Sequence, residues 1–130
     1  MACERRKVGP VPAARPAVGS LARVETGLLV VTAAGTRDEA AGLARSAVKA
    51  RLAASAQLYG PVGSFFWHLG EFGEGEEWVV VLRTTSERYS ELEAHLLSEH
   101  PWDNPEVVAL GMEAGSTAYL GWLTRSVSQD

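Results

Sequence analysis

Two extended stretches facing each other across a glycine-rich interruption constrain this chain more than anything else in it. Ser55-Ala56-Gln57-Leu58-Tyr59 and Ser64-Phe65-Phe66-Trp67-His68-Leu69 are strand-like, and the short break at Gly60-Pro61 between them predicts one long strand carrying a bulge or bend. Turn residues follow from Gly70 to Gly75, and Trp78-Val79-Val80-Val81-Leu82 reads as the return strand. A hairpin of this length fixes an antiparallel pair at the centre of the fold. Its acids Glu71, Glu74, Glu76 and Glu77 are expected to crowd the tip, as a solvated cluster or as oxygen ligands for a hard cation.

The flanking segments complete the pattern. Leu28-Leu29-Val30-Val31-Thr32 is a short branched run suited to a buried strand, ended by Gly35. Thr36-Arg37-Asp38-Glu39 has the form of a capping box, with acids in the first turn where the helix dipole favours them. Ala40, Leu43, Ala44, Ala47 and Val48 then fall at helical spacing, so a helix with one small-residue face should lie close on the sheet. A second helix is predicted from about Ser86 to Glu99, with Tyr89, Leu92 and Leu96 turned inward and Glu91, His95 and Glu99 in line on its outer face. That outer line resembles a metal site, although helix surfaces produce it by chance.

Proline stops this helix. In His100-Pro101-Trp102-Asp103-Asn104-Pro105-Glu106 the two prolines push their preceding residues out of the helical region, giving a stiff turn that carries an imidazole, an indole and carboxylates. A strand from Glu106 to Gly111 and a last helix from about Ser116 to Val127, with Tyr119, Leu120, Trp122 and Leu123 on its apolar face, follow. The order β-α-β-β-α-β plus a C-terminal helix predicts an α+β fold: a ferredoxin-like plait, with an antiparallel sheet covered by helices on one face. Phe65, Phe66, Trp67 and Trp78 make the hairpin aromatic, and the bare sheet face and open edges call for a closed homo-oligomer.

Charge and cysteine content narrow the function. The net charge of −4 divides unevenly: residues 1–23 hold five basic side chains against Glu4, or +4, which leaves −8 on residues 24–130. An acidic domain is not expected to bind nucleic acid, which needs clustered Lys and Arg, and no stretch is long and apolar enough for a membrane span. Residues 1–23, with Pro10, Pro12 and Pro16, read as a disordered basic tail preceding one domain at residues 24–130. The single cysteine, Cys3, excludes an internal disulfide and a Cys-rich zinc cluster, and points to a reducing compartment, the cytoplasm. There is no nucleophile motif, Gly-rich phosphate loop or two-histidine metal signature, so an enzyme in which His100 and Glu106 act as base and orienter ranks last.

In order along the chain, Arg51-Leu52-Ala53-Ala54, Gly60-Pro61 with Ser64 and Phe65 to Trp67, Glu76-Glu77, Arg83-Thr84, His100-Pro101-Trp102 with Pro105-Glu106, and Tyr119-Leu120 with Trp122-Leu123 resemble the CutA family of divalent-cation tolerance proteins, over about residues 27–125. The resemblance implies a homotrimer assembled through the hairpin strands, similar in architecture to the PII signalling proteins, and an association with copper and other divalent metals. Where family members commonly carry cysteines this chain has Ser55 and Val31, so soft thiolate ligation is absent at both places, and His100 is the ligand that remains.

The expected site is an inter-subunit cleft lined by Trp67, His100, Trp102 and Glu106. It would hold a divalent ion such as Cu(II) or Zn(II) on His100, or a small polar ligand stacked on an indole, with no cofactor required. Each residue also has a structural alternative: His100 as a helix C-cap, Trp102 as filler of a seam, Glu106 as a partner for backbone N–H groups. The alternative function is a PII-like signalling or scaffold trimer that binds a protein partner without metal.

Overall fold

The computed structural model describes residues 27–129. The segment read as a disordered tail lies outside them. The order is β1 (Gly27–Ala34), α1 (Arg37–Lys49), β2 (Ser55–His68), β3 (Glu71–Thr85), α2 (Tyr89–Glu99), β4 (Val108–Gly111) and α3 (Thr117–Ser126). The four strands form one antiparallel sheet in the order β2-β3-β1-β4, which is the ferredoxin-like plait.

The core lies between the sheet and the first two helices. Val30 and Ala34 of β1 and Val80 and Leu82 of β3 alternate inward and meet Ala40, Leu43 and Ala47 of α1 and Leu92 and Leu96 of α2. The alanines on α1 let its backbone sit close to the strands. The predicted cap is present: Thr36 is extended and its side chain accepts the Glu39 N–H at 3.1 Å. Thr36→Ala should lower stability by about 1 kcal/mol, read from urea unfolding.

The hairpin differs from the sequence reading in its turn. β2 is one strand with a bulge between Tyr59 and Val62, as expected, and the Gly60–Pro61 bond is cis. The turn, however, is confined to Leu69 and Gly70, both at positive φ (52° and 83°), the geometry of a two-residue connection whose twist matches its strands. Gly73 and Gly75 therefore belong to β3. Gly73 is needed for close approach, since a Cβ there would stand 2.5 Å from the Phe66 ring. Because pairing begins at Glu71, the acids are spread along β3 instead of gathered at the tip: Glu71 is opposite His68, Glu74 opposite Phe65, and Glu77 is buried opposite Val62.

Other boundaries shift by a few residues. The α2 helix begins at Tyr89, and its outer line is dismantled: Glu91 pairs with Arg88, while His95 Nε2 lies 2.8 Å from Ser46 Oγ on α1. Strand β4 begins at Val108, and Asn104 to Val107 before it carry no helix or strand. Leu123 of α3 and Val127 just after it are buried, but Tyr119 and Trp122 turn outward and lie against each other at 5.4 Å. Neither is available to the core.

Candidate functional site

The turn after α2 is locked by its histidine. His100 is the C-cap of the helix and, at 8 % exposure, is buried. Its Nδ1 lies 3.1 Å from the Trp102 backbone N–H, and its Nε2 lies 2.8 Å from the Ala33 carbonyl at the end of β1. A ring nitrogen facing an N–H must be the acceptor and one facing a carbonyl must carry the proton, so the partners specify the neutral Nε2–H tautomer. Burial pushes the His100 pKa below its usual value, against smaller opposing contributions from the Ala33 hydrogen bond and the Glu39 carboxylate. The imidazole is thus a neutral rivet between the turn and the central strand.

Trp102 is placed by the same rivet. Its ring stacks obliquely on His100, with centroids 5.1 Å apart, and packs on Phe66 of the hairpin arm. His100, Trp102 and Phe66 therefore tie the turn to both β1 and β2. Trp67 is not part of this group. It neighbours Phe66 on a strand, so it points to the opposite face of the hairpin, where it is 67 % exposed and meets Phe72 edge-on at 6.2 Å. Glu106 is half-buried and engaged within the chain. Within one chain the structure joins two of the four expected residues, His100 and Trp102, and leaves Trp67 facing outward. A groove of about 390 Å³ at the hairpin tip is lined by Phe66, His68, Leu69, Glu71, Phe72 and Gly73.

Residues that the sequence reading did not place in the site stand out here. Glu77 is 6 % exposed, and its Oε2 is buried without a hydrogen-bond partner. Its parity with Val79 and Val81 in the strand was the available signal. On the same sheet face, Gln57 Oε1 accepts hydrogen bonds from Arg83 Nη2 at 2.9 Å and from the Tyr59 hydroxyl at 3.1 Å. Among the described residues no group of three or more His, Cys, Asp or Glu side chains stands where it would hold a metal ion.

The sequence profile of the CutA1 divalent ion tolerance proteins matches residues 28–126. The chain belongs to the CutA1 family. It is 30 % identical over 100 residues to the divalent-cation tolerance protein CutA of Thermotoga maritima, a match covering 77 % of this chain and 98 % of that one. Among solved structures it resembles CutA of Synechococcus elongatus, with a TM-score of 0.76 at 35 % identity, over 79 % of this chain and 91 % of that one. The CutA structure of Archaeoglobus fulgidus gives the same TM-score at 25 % identity, covering 78 % and 99 %. The resemblance read from the ordered motifs is thereby established, and the plait is the CutA1 fold.

Proposed function

We propose that this CutA1 family member works as a homotrimer in the response to divalent cations, holding its ligand in clefts between subunits. The observation that carries this reading is the sheet face opposite α1 and α2, which α3 meets at the Gly27–Thr85 end. Leu29 and Val31 of β1, Val79 and Val81 of β3, and Val108 and Leu110 of β4 share that face by register, and none of the six is buried within the chain. Tyr59 adds to that face, and Phe65, Trp67 and Phe72 stand exposed on the other face of the hairpin. An apolar surface of this kind in water favours association, and a second and third copy of the same chain supply the matching surface.

Trp67 reaches outward from the hairpin while the His100–Trp102 turn stays against its own subunit, so only a cleft between copies would bring the expected residues together. A divalent ion such as Cu(II) or Zn(II) would reach His100 Nε2 by displacing the Ala33 carbonyl and moving the ring proton to Nδ1, which also gives up the Trp102 N–H bond and would couple metal binding to the position of the turn. A second reading, a PII-like scaffold trimer in the cytoplasm that binds a protein partner without metal, is favoured by the engagement of both His100 nitrogens. Calorimetric titration with Cu(II) and Zn(II), on the wild-type chain and on His100→Gln, separates the two. Saturable binding at about 10 μM or tighter that disappears in the variant supports the metal reading. Equal, weak heats in both proteins support the scaffold.

A further inference from the structure

The sheet face opposite α1 and α2 carries, among its apolar side chains, the buried Glu77 and a polar group built around Arg83. The register sets Arg83 between Leu29 of β1 and Ser55 of β2, with Val81 and Thr85 next to it on the same side of β3, so no carboxylate adjoins it in the sheet. Its partner is the neutral side chain of Gln57, which is fixed in orientation: arginine only donates, so the amide oxygen must face Arg83 Nη2, at 2.9 Å. That same oxygen also takes the Tyr59 hydroxyl. With its acceptor used twice, Gln57 turns its amide N–H groups outward beside the remaining N–H groups of the guanidinium. The cluster offers several donors, one positive charge and almost no acceptor capacity.

We propose that Arg83 and Gln57 form a binding site for a small oxyanion, of the phosphate or carboxylate class, enclosed when the sheet face is covered by neighbouring copies. This inference rests on the assembly proposed above. Half-buried Arg83 shares its charge with water in the single chain. Covering Leu29, Val31, Val81 and Leu110 removes that water, and a guanidinium in an apolar seam is costly unless an anion answers it. Planar N–H groups that fork toward two oxygens suit phosphate or carboxylate, and the Gln57 amide adds donors at the same place. Each copy brings one such cluster, so the site is completed by the partner surface that closes over it.

The test uses the full chain, its mass by light scattering, and calorimetric titration with inorganic phosphate at fixed ionic strength. Arg83→Gln removes the charge; Gln57→Glu keeps the shape but supplies a carboxylate inside the chain. The expected result is a trimer in all three proteins, saturable phosphate binding in the wild type, and binding weaker by about tenfold or more in both variants. A wild-type trimer that binds phosphate no better than the variants overturns the site and leaves the assembly standing. Loss of the trimer in Arg83→Gln, with or without phosphate, overturns it in favour of a carboxylate from the neighbouring copy. A monomeric wild type overturns the assembly and the site together.

Discussion

Val81→Lys is expected to yield a folded monomer. Val81 is in β3, opposite Val31, on the sheet face opposite α1 and α2. In the single chain it is half-exposed, so a lysine there can lie along the surface with its ammonium in water, and the core between Val80, Leu82 and the two helices is untouched. In the assembly the same ammonium is trapped in an apolar seam. Burying an unpaired charge costs about 3 kcal/mol or more per copy, which weakens each contact by about two orders of magnitude, and a closed ring needs every contact at once. Light scattering should report the mass of one chain while far-UV circular dichroism keeps its wild-type shape. Loss of the circular dichroism signal would show instead that this face belongs to the fold of the single chain.

The second large effect concerns His100. Removing the ring in His100→Ala takes away two buried hydrogen bonds and the surface on which Trp102 rests, so a cost of about 2–4 kcal/mol is expected. The same histidine should make stability depend on pH. Its folded-state pKa lies below the ordinary value of 6.5, chiefly because the ring is buried. Above that value both folded and unfolded chains hold it neutral. As the pH falls through 6.5 the unfolded chain takes up the proton first, and stability is lost until the folded pKa is passed. Protonated Nδ1 would also set an N–H against the Trp102 N–H. Urea midpoints at pH 7.5 and 5.0 should therefore fall further apart in the wild type than in His100→Gln. Equal differences in the two proteins would mean that the ring is not held neutral in the folded state.

What could be read from the sequence follows from how local each signal is. Helix α1 was legible because Thr36, Asp38, Glu39 and the alanine spacing act within a few turns of chain. The plait was legible because alternating residues on β1 and β3 and the prolines after α2 set element order without reference to distant contacts. The tight turn was hidden: Gly70, Gly73 and Gly75 all look like turn residues, and only the packing of Phe66 over Gly73 shows that one of them makes room for a ring. His100 was singled out correctly as the centre of the polar turn, but its engagement with Ala33 spans 67 positions and leaves no local trace. Trp67 was grouped with it as the lining of a cleft between subunits, which the fold of one chain does not bring together. The adjacent Phe66 takes the inward side, and alternation then forces Trp67 out.

The pairing of Arg83 with Gln57 was invisible for the same reason. Their contact crosses two strands, and it depends on the register set beyond the bulge at Tyr59. Once that register is known, Glu77, Arg83 and the valines of β3 fall on one face, and the chemistry of that face becomes readable.

What covers the sheet face opposite α1 and α2 is tested most directly by the mass of the wild-type chain in dilute solution. Multi-angle light scattering at about 10 μM protein is predicted to give three times the 13.9 kDa chain mass, unchanged on further dilution. A single 13.9 kDa species would contradict it, because the apolar face and the aromatic hairpin would then be stable in water with nothing upon them.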